Sequence, residues 1–540
     1  MGLYLHLFET TQECQEQRST GYTEPWVGYT MEDSGVTFSK TESEKLLETP
    51  LTFEIISGGN ITWSFRDVGG EFVTAKHDIQ YKKNDSEWFN MPRTISVLSG
   101  DTVQFRGDNA TYTVEEEETY VNPFDSFGEG TTCKFNVYGN IMSLLDSAEF
   151  ATETTLLSAN TFSYLFSNCN GLTYAGKLIL PATTLANRCY CGIFSGCTSL
   201  TTAPELPATT LASYCYQYMF SGCTSLTQAP ELPATTLANY CYSGMLSNCT
   251  SLTQAPELPA TTLAYGCYTS MFLGCTSLTQ APELPATTLA SSCYESMFRG
   301  CTSLSSVPAL PATTLASSCY VNMFSGCTSL TQAPELPATT LANRCYYNMF
   351  RGCTSLTTAP ELPATTLATS CYEYMFNGCT SLTQAPELPA TALKQQCYQR
   401  MFNNCTSLTQ APELPATILA SSCYNNMFYG CTSLTIAPEL HTTILADSCY
   451  NGMFRDCTSL TQSPELPATI LKSYCYEHMF EGCTSLNYIK CLATNISAGS
   501  CTSSWVKGVA STGTFVKNAS MSSWTTGNDG IPSNWTVQDA

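Results

Sequence analysis

The sequence predicts a repeat solenoid that follows a small all-β domain and ends in a β-rich segment. Three observations predict it. A 26-residue period runs without a slip through most of the 540 residues, 43% of residues are apolar while only 12% are charged, and the sequence changes character on both sides of the repeats. Periods in the twenties are typical of stacked units that bury an apolar face against their neighbours.

The tetrad Cys-Thr-Ser-Leu marks the period, with its cysteine at 197, 223, 249 and every 26 residues onward to 483. A second cysteine precedes each of these by eight residues, from Cys189 to Cys475. Twelve units therefore predict a solenoid over residues 173–486, in which each unit buries what it cannot bury alone.

Within one unit, Cys215, Met219–Phe220 and Cys223 have the spacing of one helical face. Gly, Asn or Asp precedes the second cysteine in every unit, and these residues best tolerate the left-handed conformation that ends a helix. The next segment, 225–229, predicts a short strand that ends at Pro230, because proline has no N–H to donate. Each unit is therefore predicted to be a strand, a bend and a short helix.

The flanks predict three further regions and one attachment segment. Residues 49–138 contain six strand-like runs between turn clusters and predict a small antiparallel sandwich. Residues 139–172 predict an N-terminal solenoid cap built on a degenerate unit. Residues 487–540, with Trp505, Trp524 and Trp535, predict a β-rich C-terminal cap. Residues 1–48 show no clear periodicity and are interpreted as a docking segment.

Twenty-four of the 30 cysteines form two ladders, which here means columns of one side chain per repeat. Successive rungs would lie ~4.8 Å apart, within reach of a disulfide. In a regular stack each sulfur has two equivalent neighbours, so buried reduced thiols are favoured over pairing. Zinc is less favoured, because no Cys-x-x-Cys pair occurs. The first rungs of the two structural ladders are Cys189, Cys215 and Cys241, and Cys197, Cys223 and Cys249.

An acidic ladder accompanies the cysteines, with one glutamate after proline and before leucine in ten of the repeats. One interpretation is a row of cation sites. The favoured interpretation is a solvated edge that discourages lateral aggregation, because stacked carboxylates repel one another. The first rungs are Glu205, Glu231, Glu257 and Glu283.

Five positions vary from repeat to repeat: the two before the first cysteine, the second and third after it, and the sixth after it. Ser, Asn, Tyr, Arg and Gly fill most of them and Lys is absent, a vocabulary typical of adaptable binding surfaces. The alternative is a neutral outer surface that keeps the stack in solution. The candidate ligand-binding residues are Tyr214, Tyr218, Tyr240, Tyr265, Tyr347, Tyr374, Tyr429, Arg188, Arg299, Arg344, Arg351, Arg400 and Arg455.

Several function classes are disfavoured. A formal charge of −22 without a basic stripe argues against a nucleic-acid partner, and no apolar run reaches the ~18 residues of a membrane span. The start of the chain lacks a basic region and a cleavage site, so we expect no secretory signal. Four scattered histidines and the absence of nucleophile or nucleotide motifs predict no catalytic residues and no cofactor.

The stretch Tyr216–Leu226 resembles the BspA-like leucine-rich repeat, whose unit runs roughly Ile-Gly-x-x-Ala-Phe-x-x-Cys-x-x-Leu. Phe220, Cys223 and Leu226 match that pattern, while Cys215, Tyr216 and Met219 replace its Ile, Gly and Ala. The resemblance covers about residues 160–490 and implies a leucine-rich-repeat solenoid. The whole layout, including the closing Gly-Ile-Pro-x-x-Trp-Thr-Val, is similar to proteins carried by gut Bacteroidales and their phages.

This resemblance implies a surface adhesin or a virion fibre. Because no export signal is expected, the favoured interpretation is a non-enzymatic protein of a virion surface that recognises a bacterial glycan or surface protein. Its N-terminal segment would contact other virion proteins, and trimers are possible. The alternatives are a bacterial cell-surface adhesin of the BspA-like type and a purely structural spacer or decoration fibre.

Overall fold

The computed structural model describes residues 40–63, 79–109, 124, 130–522 and 524–540, with the backbone of four short strands at 29–32, 35–38, 65–66 and 72–73. Most of the predicted docking segment therefore lies outside the described residues. Its last part forms helix α1 (Glu42–Leu47), and no helix in the described part of the chain is long and apolar enough to cross a membrane.

Sixteen strands and one 3-10 helix, η1, complete the described elements. They are β1 (Tyr29–Glu32), β2 (Gly35–Phe38), β3 (Leu51–Ser57), β4 (Gly59–Thr62), β5 (Phe65–Arg66), β6 (Phe72–Val73), β7 (Ile79–Lys83), β8 (Phe89–Asn90), β9 (Thr94–Val97), β10 (Thr102–Gly107), β11 (Lys134–Asn140), η1 (Ile141–Leu144), β12 (Leu172–Ile179), β13 (Gln462–Leu466), β14 (Tyr488–Cys491), β15 (Thr514–Lys517) and β16 (Thr536–Asp539).

The N-terminal region is built on a six-stranded sheet with the order β12-β11-β3-β10-β7-β8. The six runs predicted as strands are strands β3, β4, β7, β9, β10 and β11. Strand β10 alternates between buried and half-buried side chains, the pattern of a sheet with one covered face. On that face Phe53 stacks on Phe135 with ring centroids 4.4 Å apart. Packing of this sheet into a sandwich stays a prediction.

The solenoid begins on this sheet, since β12 pairs in parallel with β11. The unit predicted as a degenerate cap hydrogen-bonds like the others: the N–H of Phe162 donates to the carbonyl of Cys189 at 2.8 Å. Its Phe166 ring stacks on Phe194 at 5.5 Å and faces Phe53 at 6.0 Å. The first unit is therefore continuous with the repeats, and the N-terminal sheet covers its open side.

The predicted helix in each repeat is wrong. Residues 213–222 are consecutive turns. Their N–H groups donate alternately to a carbonyl three residues back and to a carbonyl of the next repeat. The N–H of Met219 donates to the carbonyl of Tyr216, three residues back, at 3.2 Å. The N–H groups of Tyr218 and Phe220 donate instead to Ser243 and Met245 of the next repeat, at 2.9 and 2.8 Å.

Backbone conformation explains why a helix does not form. In the second repeat φ is 61° at Tyr214, 55° at Tyr218 and 76° at Gly222, so every fourth residue is left-handed. A non-glycine residue at positive φ costs roughly 1–2 kcal/mol, which the inter-repeat hydrogen bonds offset. The left-handed residue before the second cysteine was expected, but it closes a turn rather than a helix. We call residues 213–223 and their equivalents the turn segment.

The predicted strand is reduced to single bridges in the middle of the solenoid, such as the parallel bridge between Gln228 and Gln254. Two residues later comes Pro230 or its equivalent, whose missing N–H stops the ladder of hydrogen bonds. After the last repeat, β14 carries no proline and pairs along its length with β15. Strands β13 to β16 form one parallel sheet, and its role as a cap stays a prediction.

The solenoid core consists of ladders that run the length of the stack. The predicted columns of Leu, Cys, Met and Phe are buried, and successive Phe rings lie 5.4–5.8 Å apart. Sequence analysis missed the tyrosine that follows the first cysteine. Tyr216 is only 1% exposed, and its column stacks at 5.7–6.2 Å from Tyr190 to Tyr476.

The 29 described cysteines are all buried free thiols. In the second ladder each thiol donates to the carbonyl of the Phe-column residue 29 or 31 positions earlier, as Cys223 does to Phe194 at 3.2 Å. Burial raises the pKa of the Cys249 and Cys353 thiols to about 12. These sulfurs act as small apolar groups with one weak donor, which serine or alanine would not replace equally well.

Candidate ligand-binding face

The five variable positions of each turn segment form what we call the turn face. The structure places the candidate residues there. Two of the five positions, the one before the first cysteine and the third after it, have a left-handed backbone. From a left-handed position a side chain extends over the next repeat. A Cβ at Gly244 would overlap the ring of Tyr218, and one at Gly266 would overlap Tyr240. A large side chain here therefore requires space on the following repeat.

The first cluster lies in repeats 1–4 and contains four candidate residues. The guanidinium carbon of Arg188 is 4.9 Å from the ring centroid of Tyr214, which stacks on Tyr240 at 4.9 Å. Tyr265 meets Tyr240 edge-on at 5.1 Å. A hydrogen bond to Tyr265, together with burial, raises the pKa of Tyr240 to about 12. The nearby Tyr218 lies in a separate column and is 41% exposed.

The second cluster lies in repeats 7–9 and contains five candidate residues. Arg344 lies over Tyr347 at 4.9 Å, whereas Arg351 and Arg400 lie over Tyr374 at 6.0 and 5.3 Å. The two tyrosine rings meet edge-on at 5.8 Å. Nη1 of Arg400 donates to the Tyr374 hydroxyl at 2.6 Å.

The third cluster joins the last repeats to the C-terminal segment. Arg455 lies 5.6 Å from the ring of Tyr429, and its Nε is 3.1 Å from the carboxylate of Glu481. His478 and Lys507 reach the same carboxylate at 2.8 and 2.9 Å. Burial raises the pKa of Glu481, but the hydrogen bond from Lys507 and the charges of Arg455 and His478 outweigh it and hold that pKa below its ordinary value.

Sequence reasoning missed the polar residues beneath these clusters. Asn348, Glu373 and Gln399 support the second cluster, and His478, Glu481 and Lys507 complete the third. A signal was present for most of them, because they occupy variable positions of the repeat; Lys507 lies beyond the last repeat. The remaining candidate, Arg299, is exposed on the turn face between the first and second clusters.

The acidic ladder is exposed along its whole length. At its C-terminal end Lys490 pairs with Glu465 at 2.8 Å. Among the described residues no group of three or more His, Cys, Asp or Glu side chains could hold a metal ion. The interpretation of Glu205, Glu231, Glu257 and Glu283 as cation sites therefore gains no support from the geometry, and the row of solvated carboxylates stays the preferred interpretation.

A shallow groove on the N-terminal sheet is a second candidate site. It is lined by Glu54, Asn136, Tyr138, Tyr174 and Lys177. Its polar groups already have partners, since Asn136 donates to Glu54 at 3.0 Å and Lys177 pairs with Glu42 at 2.6 Å. The turn face is the better candidate, because its arginines meet aromatic rings and leave hydrogen-bonding capacity unused.

Comparisons with known proteins agree with the solenoid. The family of the BspA type leucine rich repeat region, in six copies, matches residues 153–279, 291–435 and 369–504, more than half of the chain. The chain belongs to the BspA-type leucine-rich repeat family. The match begins at residue 153, so this BspA-type protein includes as a repeat the unit that the sequence predicted as a cap.

Seven chains of solved structures match this BspA-type protein. One is the crystal structure of a TLR13–ssRNA13 complex, with 13% identity over 70% of this chain and a TM-score of 0.22. This chain spans 62% of the length of that structure, and a likeness at this TM-score carries no argument. A search of curated proteins gives no match.

Proposed function

We propose that this BspA-type protein is a non-enzymatic adhesin that binds a bacterial surface ligand, a glycan or a protein, through the turn face. One observation carries the proposal: the variable positions gather tyrosine and arginine into three clusters, while the rest of each repeat stays nearly constant. Family members of this kind are typically binding scaffolds, and a rigid stack holds such side chains in place.

The clusters favour an extended or repeated ligand. Five repeats separate the middle of the first cluster from the middle of the second, roughly 25 Å at ~4.8 Å per repeat. Weak contacts at several points of one ligand add up to high avidity when the spacing lets them engage together. Tyr218 and Tyr265 are 41% and 44% exposed, so part of each aromatic surface is open to a partner.

The test is binding of the fluorescent full chain to a panel of gut bacterial strains. The variant Tyr214→Ser/Tyr240→Ser/Tyr265→Ser replaces the three tyrosines of the first cluster by serine. These tyrosines occupy the two positions before the first cysteine, and repeats 5 and 6 carry serine at both positions. Its matched control, on the exposed acidic ladder of the same repeats, is Glu231→Gln/Glu257→Gln/Glu283→Gln.

Strain-selective binding that the tyrosine variant loses and the glutamate variant keeps is the expected result. Equal binding by both variants would remove the first cluster from the binding surface. No binding by the folded chain to any strain would overturn the adhesin proposal in favour of the structural spacer. The location of the protein, on a bacterial surface or on a virion, stays a prediction. Immunogold labelling of cells and phage particles tests it.

A further inference from the structure

The second cluster concentrates positive charge in an acidic protein. Three arginines, two from repeat 7 and one from repeat 9, surround two tyrosines, while the whole chain carries a formal charge of −22. Each guanidinium carbon lies 4.9–6.0 Å from a ring centroid. None of the ion pairs found in the described ranges involves Arg344, Arg351 or Arg400, so their charges are available to an anion.

Three buried polar atoms of this cluster have no hydrogen-bond partner in the described part of the chain. They are Oδ1 of Asn348, Oε1 of Gln399 and Nε of Arg400. Asn348 is 6% exposed, so its amide is almost entirely withdrawn from solvent. A buried polar atom without a partner costs about 1–3 kcal/mol, and a ligand that supplies the missing partners recovers that cost.

Glu373, the acidic residue of the second cluster, does not neutralise the charge of its arginines. Glu373 is 6% exposed, and burial raises the pKa of its carboxyl despite a hydrogen bond to Ser370 and the charges of Arg344 and Arg400. A carboxylate in a tight pair with these arginines would have the opposite shift. The site therefore keeps an excess of donors and positive charge.

We propose that repeats 7–9 bind a carboxylated sugar unit of a bacterial surface glycan, such as a uronic or sialic acid. This inference rests on the proposed adhesin function and names its ligand class. The guanidinium groups of Arg344 and Arg351, both exposed, would take the carboxylate, for which a planar fork of donors is well suited.

The remaining groups match the rest of such a sugar. The faces of Tyr347 and Tyr374 would pack on its apolar face. Its hydroxyls would donate to Asn348 Oδ1 and Gln399 Oε1, once the side chains that bury these two atoms rotate aside. A neutral sugar would leave the arginines unused.

The test measures equilibrium binding of the full chain to polygalacturonate, hyaluronan, alginate and polysialic acid, each beside its carboxyl-reduced form. Poly-L-glutamate serves as an anionic polymer without sugar rings. The variant Arg344→Ser/Arg351→Asn/Arg400→Asn introduces residues that other repeats carry at the same positions, as in Ser318, Asn377 and Asn426, so the turn conformation is retained. The matched control is Lys394→Ala, which removes an exposed cation of repeat 9 outside the turn segment and introduces the residue that other repeats carry there, as in Ala420.

We expect at least one carboxylated glycan to bind, its reduced form to bind at least tenfold more weakly, and the triple variant to lose at least tenfold in affinity. Lys394→Ala should bind as the unmodified chain does. The inference is overturned when no carboxylated glycan exceeds its reduced form, when the triple variant binds normally, or when poly-L-glutamate binds equally well.

Binding to whole cells, measured with the same preparations, separates the two proposals. Cells that bind while no acidic glycan does would overturn the sugar site and leave the adhesin. Acidic glycans that bind while no cells do would keep the sugar site and overturn the adhesin.

Discussion

Two buried glutamates on the turn face behave in opposite ways. Glu373 in repeat 8 and Glu481 at the end of repeat 12 are 6% and 8% exposed, and both have cationic neighbours. The pKa of Glu373 is raised by burial, whereas that of Glu481 is lowered because Lys507, Arg455 and His478 outweigh burial. At similar exposure, the difference lies in direct contact with the cations.

This difference separates a structural network from a binding site. Atoms of Arg455, His478 and Lys507 lie within 3.1 Å of the Glu481 carboxylate, so the network holds the last repeat to the C-terminal segment.

Around Glu373 the arginines face tyrosine rings instead. Polar atoms of both regions lack a hydrogen bond. Those near Glu481 lie in ion pairs at 2.8–3.1 Å, whereas Asn348 Oδ1, Gln399 Oε1 and Arg400 Nε are in none of the ion pairs found among the described residues. Completed charge networks stabilise a fold, while incomplete ones favour a ligand.

The largest effect is expected from Glu481→Gln. Removing the anion leaves Lys507, Arg455 and His478 without their common partner, and we expect a loss of about 2 kcal/mol in local stability. Hydrogen exchange of amides in residues 474–510, followed by mass spectrometry, measures it.

Glu361→Gln on the exposed acidic ladder is the control and should change stability by less than ~0.5 kcal/mol. Equal exchange in the two variants would contradict the network.

A milder substitution should make Glu481 resemble Glu373, whose pKa is raised. Lys507→Met removes the cation that hydrogen-bonds to the carboxylate, so the pKa of Glu481 should rise. We expect a loss of about 1.5 kcal/mol in the same amides. The pH at which these amides lose protection should move upward, and an unchanged pH would show that Arg455 and His478 suffice.

Acid should act oppositely on the two regions of the unmodified chain. The lowered pKa of Glu481 adds stability that is present above the unfolded value of about 4.3 and is lost as the pH falls through the folded pKa. The raised pKa of Glu373 adds stability that is complete below about 4.3 and is lost as the pH rises through the folded pKa.

The expected change is opposite in sign in the two regions. Exchange of repeats 7–9 and of repeats 11–12, measured across this pH range and corrected for intrinsic rates, checks it. Parallel pH dependence in the two regions would contradict the comparison.

The smallest effect is expected from Glu373→Gln. The substitution removes a charge that burial disfavours and keeps the shape, so repeats 7–9 should gain about 0.5 kcal/mol at pH 7. Hydrogen exchange of residues 370–400 measures the gain. A loss of stability would mean that Glu373 forms a productive ion pair with Arg344 or Arg400.

The sequence predicted most of the solenoid core. It did not reveal the buried tyrosine column, and it wrongly predicted a helix in each repeat. The columns of Cys215, Met219 and Phe220 were recognised because they are nearly constant across repeats. The helix was predicted because its apolar spacing of i, i+4, i+8 also fits turns that repeat every four residues, and nine residues cannot separate a period of four from 3.6. Tyr216 was missed, although its column is equally constant, because tyrosine is often exposed.

The sequence predicted the candidate residues one by one, and only the structure shows which of them lie together. The variable positions identified Tyr374 and Arg400, which are 26 residues apart, but their hydrogen bond depends on the left-handed backbone at Tyr374. Asn348 and Gln399 were overlooked because nothing in the sequence distinguishes a buried amide without a partner from an exposed one.

The sequence alone determined the period, the buried columns, the preference for unpaired cysteines and the left-handed residue before each second cysteine. These follow from residue types at fixed spacing, a pattern that recurs in every repeat. Tertiary structure decided which N–H groups donate to the next repeat, why the turn segment is not a helix, and which side chains meet. Those outcomes depend on the neighbouring repeat, whose carbonyls and ring faces lie 25 or 26 residues away in the chain and only about 3–6 Å away in space.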